Sequence, residues 1–410
     1  DMVKVQIIEQ GSITSTPGFK AAGVACGLKP TGALDLALAA AAGPCAAAAM
    51  FTTNAFKAAP VLYDMKVLQE NPAGLRAVVI NSGCANACTG ERGLRDAETS
   101  AARVGEALGA PANSVMVMST GVIGQPLPMD KIEAGIAAAA PLLSGEVAAG
   151  HDAARAIMTT DTRPKEVAVC VEMAGGAFTV AGMAKGAGMI HPNMATMLCL
   201  LTSDTRVTPE LAQRALREVT ADTLNSITVD GDTSTNDTVL LMANGQAAMP
   251  LIADADSEGY RALVEGLGVV LGELAKGIVR DGEGATRFIE IVVRGARTRA
   301  EAKQVAMSVA KSPLVKTAVY GRDANWGRIV CAVGYSGVEI TPERVGVWLG
   351  DLELVHAGAP YDVREERASE ILAQSDIPIT IDLGAGAASA TVWTCDFSHA
   401  YVDINAHYRT

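Results

Sequence analysis

Apolar runs rich in β-branched residues recur along the chain at Ala77–Ile80, Val115–Met118, Val167–Val171, Phe178–Ala181, Met197–Leu201 and Val239–Met242. Later runs fall at Phe288–Val293, Val345–Leu349, Ile379–Leu383 and Thr391–Trp393. Their short length and continuous apolar character predict buried strands. Between them, helical periodicity covers Gly93–Leu108, Asp130–Ala139, Pro209–Thr223, Glu258–Gly277 and Arg364–Ala373. Thr208-Pro209-Glu210 sets a cap before a proline at the first helical position, and Thr341-Pro342-Glu343 repeats that start signal. The fold class is mixed α and β. No repeat of fixed period and no long linker appears, and a break near Arg294–Arg299 sets off a carboxy-terminal lobe, roughly 295–385.

The 410-residue length predicts two or three lobes. Hydrophobic residues make up 49% and aromatic ones only 4%, so the core is built from Ala, Val, Ile, Leu and Met. A net charge of −12 argues against nucleic acid and against an anionic membrane surface as partners. The Ala-rich run from Leu36 to Met50 is broken by Gly43-Pro44, short of the roughly 20 apolar residues of a membrane span. Eight scattered cysteines, with only Cys84 and Cys88 close together and no histidine at ligand spacing, read as reduced thiols in a cytoplasmic protein.

Candidate chemistry concentrates in Lys185 to Leu198, where a glycine-rich approach leads through His191-Pro192 to Ala195-Thr196 and then an apolar strand. A hydroxyl at this junction can attack the preceding carbonyl, and hydrolysis of the resulting ester would leave Thr196 as a new amino terminus. Such a threonine carries nucleophile and base together. Packing alone also accounts for an Ala-Thr pair at a strand start. Histidines are isolated and no Gly-x-Ser-x-Gly elbow exists, so a Ser-His-Asp arrangement is unsupported.

Ser119-Thr120-Gly121 follows a strand and opens a glycine turn, a place where N–H groups and a hydroxyl can form an oxyanion hole; an ordinary strand-to-loop turn is the plainer account. Asn81 to Ala87 is a second polar loop after a strand, with Asn86 fixing its turn or capping a helix. Asp230 to Asp237 lacks the glutamate and glycine of a calcium loop and reads as a polar turn able to line a pocket. Gly186-Ala187-Gly188 has no acidic partner in a strand–helix context, so no dinucleotide site is expected.

With these residues in view, the chain resembles the ornithine acetyltransferases, the arginine-biosynthesis bifunctional glutamate N-acetyltransferases. The resemblance runs from Gly18 to Thr410 and includes Gly18-Phe19-Lys20-Ala21-Ala22-Gly23, Asn81 to Gly90, Ser119 to Gly124 and Met158-Thr159-Thr160-Asp161-Thr162. It continues through Lys185 to Leu198, Asp281 to Thr286, Gly321-Arg322-Asp323-Ala324-Asn325-Trp326-Gly327-Arg328 and Asn405 to Thr410. Cys84 departs from the family, many members having asparagine there, which bears on pocket shape; residues before Gly18 match poorly.

The resemblance implies self-cleavage between Ala195 and Thr196, giving segments 1–195 and 196–410 that assemble as an α2β2 heterotetramer. It implies stacked β-sheets flanked by helices, the fold of a self-processing N-terminal-threonine acyltransferase with a smaller carboxy-terminal lobe. It makes Thr196 the nucleophile, Thr120 and Gly121 the oxyanion hole, and Thr162, Lys185, Thr196, Glu283, Asn405 and Thr410 the substrate contacts. An acetyl group would pass from N2-acetylornithine to Thr196 and then to glutamate, without metal or organic cofactor. Family members divide on whether acetyl-CoA also serves as donor, and no motif in the sequence separates them. A related self-cleaving aminopeptidase or amidase, or an uncleaved binding protein for acylated amino acids, are the alternatives.

Overall fold

The computed structural model describes residues 3–191 and 197–409, so Ala195, Thr196 and Thr410 lie outside the described residues. The first sheet takes its strands from β1 (Lys4–Ile7), β2 (Phe19–Val24), β3 (Leu36–Phe51), β4 (Leu75–Cys84), β5 (Val115–Val122), β6 (Lys165–Met173), β7 (Gly176–Lys185), β8 (Leu198–Ser203) and β9 (Thr238–Ala243). Their order is β1-β6-β7-β8-β9-β3-β4-β5, with β2 on β3. The sequence expectation missed β3. Its amino-terminal half pairs with β2 and β4, and Ala46–Phe51 pairs with β9. The register shifts between Ala40 and Cys45, where Gly43-Pro44 sits. A proline that cannot donate is tolerated at such an irregularity.

This bend folds the strands into two stacked layers, and side-chain alternation distributes the core among them. Leu198, Leu200, Leu240 and Met242 meet Val78, Ile80, Met116 and Met118 between the layers. Their neighbours Cys199, Leu201, Val239 and Leu241 face a core that includes Leu216, Leu263, Leu267 and Leu274 of helices Pro209–Asp222 and Glu258–Arg280. Ala77, Val79, Val115 and Val117 face Val104, Ile132 and Ile136 of helices Gly90–Leu108 and Met129–Ala139. Strands buried on both faces explain why these segments read as continuous apolar runs. Each fully buried Leu or Met contributes about 2 kcal/mol.

The second sheet combines β10 (Phe288–Ala296), β11 (Gly346–Leu349), β12 (Leu352–His356), β13 (Ala359–Pro360), β14 (Asp376–Asp382) and β15 (Ala388–Cys395), in the order β13-β12-β11-β14-β10-β15. It has its own core, in which Ile291, Val347, Ile379 and Val392 pack with Val305, Val309 and Ile329. Thr208 caps its helix, accepting from Leu211 N–H at 3.3 Å. The same signal at Thr341 yields only a 3-10 turn, Pro342–Arg344: no side-chain bond closes that cap, and β11 starts at Gly346. Among the described residues no helix is long and apolar enough to cross a membrane. Past β15, helix His399–His407 brings the chain end back to the first sheet's rim.

Candidate active site

Parallel strands β4 and β5 end side by side, and both run further than the sequence predicts: Asn81–Cys84 and Ser119–Val122 are still paired strand, not loop, with Asn81 opposite Ser119 and Ser82 opposite Thr120. Gly121 has φ 132°, and a Cβ there would run into the Gly83–Cys84 backbone, so only glycine permits this approach. Asn86, with φ 50°, holds its own loop by donating to Gly93 O at 2.9 Å. Cys84 is buried and its Sγ reaches Gln125 O; the adjacent Ala85, not Cys84, faces the cavity.

That cavity, about 360 Å3, is lined by Thr120 and Gly121 together with Lys185, Glu283 and Asn405. Five of the sequence candidates therefore converge on one space. Thr162 does not line it and instead anchors the floor: its N–H donates to Asp281 Oδ2 at 2.9 Å and its hydroxyl to Asp281 Oδ1. Thr196 and Thr410 lie outside the described residues, but Met197, covalently joined to Thr196, begins the run into β8.

Lys185 ends β7, is 2% exposed and places Nζ 3.2 Å from the Thr120 hydroxyl. Burial lowers its pKa, while Asp161, Asp237 and Glu283 pull the other way and Lys165 adds to the lowering. A second buried lysine stands behind it. Lys165 bridges Asp161 and, at 2.6 Å, Asp281 Oδ2, and donates to Gly186 O at 3.2 Å. Burial alone would raise the Asp161 carboxyl, but Lys185 and Lys165 hold it below the ordinary range. Asp161 also receives Gly186 N–H at 2.9 Å and Thr159 N–H at 3.1 Å, so the network fixes both main-chain segments flanking the pocket.

Glu283 accepts from the Thr160 hydroxyl at 2.8 Å and from Asn405 Nδ2 at 2.6 Å. Its main chain is tied to the glycine approach through Glu283 N–H to Ala187 O, 2.8 Å. Asp230 secures the same approach further on, accepting from Met189 N–H at 2.7 Å, Ile190 N–H at 2.9 Å and Tyr401 OH at 3.0 Å. Burial raises the Asp230 carboxyl. The arrangement offers a cation, a carboxylate and a main-chain turn around a space with no histidine or cysteine among its described lining residues. Among the described residues no group of three or more His, Cys, Asp or Glu side chains is gathered for a metal ion.

Sequence reasoning gave no role to Asp161, Lys165, Asp230, Asn236, Asp237 or Tyr401. Asp161 stands inside a motif shared with the family, and the turn Asp230 to Asp237 was expected to be able to line a pocket, so a signal existed for four of them.

Residues 20–410 match the model of the ArgJ family. The arginine biosynthesis bifunctional protein ArgJ of Symbiobacterium thermophilum is 51% identical over 402 residues, covering 98% of this chain and 99% of its own. The protein of the same name from Geobacter sulfurreducens is 49% identical, covering 96% and 99%. An ornithine acetyltransferase from Mycobacterium tuberculosis, solved in complex with ornithine, is 46% identical, covers 46% of this chain and 98% of its own, and superposes with a TM-score of 0.43. The chain belongs to the ArgJ family, the ornithine acetyltransferases its sequence resembles, and is an acyltransferase.

Proposed function

We propose that the enzyme transfers the acetyl group of N2-acetylornithine to glutamate through an acetyl ester on Thr196. The observation that carries this reading is the meeting of Lys185, Thr120, Gly121, Glu283 and Asn405 around one cavity. The name of relatives at 49% and 51% identity supports a place in arginine biosynthesis.

Before transfer, the Thr196 hydroxyl attacks the Ala195 carbonyl carbon, the peptide C–N bond breaks, and water hydrolyses the ester. Ala195 becomes a carboxylate and Thr196 a free amino terminus, dividing the chain into 1–195 and 196–410. In the first half-reaction the Thr196 amine takes the hydroxyl proton as the oxygen attacks the acetyl carbon. The amide C–N bond then breaks and the departing amine of ornithine receives that proton. In the second, the glutamate amine attacks the ester, Thr196 regains its proton, and N-acetylglutamate leaves. This is ping-pong chemistry. Thr120 and Gly121 stabilise each tetrahedral oxyanion, about 3 kcal/mol per donor. Lys185 holds the α-carboxylate and Glu283 meets an ammonium group, with Asn405 and Thr410 completing the substrate contacts and Thr162 acting behind them through Asp281. N-acetylglutamate formed from acetyl-CoA without acetylornithine decides whether acetyl-CoA is also a donor. The assembly is an α2β2 heterotetramer in the cytoplasm.

Thr196→Ala tests the core of the reading. It is expected to run as one intact band on a denaturing gel and to transfer no acetyl group; a variant that still cuts and still transfers overturns the assignment. Acetylornithine hydrolysis without glutamate acetylation in the wild type would point to a hydrolase instead.

A further inference from the structure

The turn Asp230 to Asp237 enters the cavity wall, and the hydrogen bonds of its last two side chains go to the protein's own main chain and to Thr235. Asn236 is buried and donates both amide hydrogens to main-chain carbonyls, Ala85 O at 2.6 Å and Ser119 O at 2.8 Å. Its own carbonyl oxygen accepts from the Thr235 hydroxyl at 2.6 Å, which fixes the orientation of the amide. Asp237 is fully buried, and its Oδ1 accepts from Met197 N–H at 2.8 Å. Its Oδ2 is buried with no partner among the described residues.

The atoms these two side chains grip are informative. The Ser119 carbonyl and the Thr120 N–H belong to one rigid peptide plane, so holding Ser119 O aims the first N–H of the oxyanion turn. The Met197 nitrogen is bonded to the carbonyl carbon of Thr196, so holding Met197 N–H fixes the peptide plane that leaves the nucleophile. Both grips come from neighbouring residues at the start of β9, which runs parallel to β8 with Leu198 opposite Thr238. Asp237 thus continues the β8–β9 ladder one step toward Thr196. Its main chain is held in turn, since Asp237 O accepts Thr52 N–H at 3.0 Å.

We infer that Asn236 and Asp237 are a pair of positioning residues that set the distance and angle between the oxyanion turn and the threonine nucleophile, for self-cleavage and for acetyl transfer alike. This rests on Thr196 being the nucleophile. Asp237 works here as an acceptor through Oδ1, a role an amide oxygen can also fill; burial raises its carboxyl above the ordinary range, against the pull of the Met197 hydrogen bond and Lys185. An amide therefore replaces it with little change of shape and keeps the acceptor.

The test compares Asn236→Leu, Asp237→Leu and Asp237→Asn with wild type and Thr196→Ala. The readouts are the rate of chain cleavage, single-turnover acetylation by acetylornithine, ornithine affinity and melting temperature. Asn236→Leu and Asp237→Leu are expected to slow cleavage and acetylation together by roughly 10²-fold, the scale of a lost oxyanion donor. Ornithine affinity should stay within about twofold, because Asn236, although it lines the cavity, already commits its amide hydrogens and oxygen to protein partners, and Asp237 Oδ1 is committed to Met197. Asp237→Asn should recover most of the rate that Asp237→Leu loses. Rate losses matched by equal losses of ornithine affinity would overturn the inference, as would Asp237→Asn no faster than Asp237→Leu. If Asn236→Leu does not fold, the Asp237 pair decides alone. An active Thr196→Ala removes the underlying reading, whereas an inactive Thr196→Ala beside an unimpaired Asn236→Leu removes only the positioning role.

Discussion

On one side of the cavity Lys185, Asn236 and Asp237 sit at strand ends and are buried; on the other, helix His399–His407 contributes Asn405 and Tyr401 without burying a residue of its own. The sheet side is held by main-chain ladders, close glycine packing and a paired charge network. The helix side is held chiefly by single polar contacts: Asn405 to Glu283, Tyr401 to Asp230 and Ser398 to Gly284 O at 2.5 Å. Groups that act on a reacting carbonyl need fixed geometry. In the proposed reaction, a wall that accepts first an ornithine side chain and then a glutamate side chain gains from contacts that re-form.

The contrast is sharpest at Lys165. Lys165→Met leaves Asp281 buried without its cation and Asp161 with Lys185 alone, so a loss of about 3–5 kcal/mol in urea-unfolding stability is expected. A loss near zero would mean the sheet side is not organised by this network.

Behind β5, Asp64 gives a pH-dependent version of the same question. It accepts Val117 N–H at 2.8 Å, and its other oxygen is buried with no partner among the described residues. Burial holds its carboxyl well above the ordinary 3.8. The folded chain then binds this proton more tightly than the unfolded one, so stability is lost as pH rises from about 3.8 toward the raised value. Asp64→Asn removes that dependence. Its stability relative to wild type should climb as pH rises from 4 to 7. A constant difference across that range rules the account out.

Gly188→Ala probes the border between the two sides. A Cβ there collides with the Glu283 carboxylate, which Thr160 and Asn405 hold in place. The expected outcome is a KM for acetylornithine raised roughly tenfold, about 1.4 kcal/mol, with little change in melting temperature. Asn405→Ala should do least: about 1 kcal/mol, or roughly fivefold in KM. If it also lowers the melting temperature, the helix side is more integral than its burial implies.

Much of the first sheet was legible because strands buried on both faces announce themselves as apolar runs; Val239–Met242 and Met197–Leu201 were both read as strands. The strand Leu36–Phe51 was not, since alanine has weak strand propensity and this strand follows from the layers it joins. Helix Ala59–Glu70 also escaped, its apolar stripe being shallow. In the site, the family motifs located Lys185, Glu283 and Asn405, but the roles of Asn236 and Asp237 depend on carbonyls and N–H groups more than 30 residues away, at Ala85, Ser119 and Met197. Linear spacing does not carry that information.

The sheet order has a consequence for the fate of a chain cut before Thr196. Strands β8 and β9 come from the segment after the cut, yet they lie between β7 and β3, which both come from the segment before it. The later fragment is clasped on both edges by the earlier one. Release would require tearing two hydrogen-bonded ladders and opening two apolar cores, so the fragments travel together through gel filtration and part only in denaturant. Cleavage in this topology changes covalent connectivity while leaving the molecule indivisible.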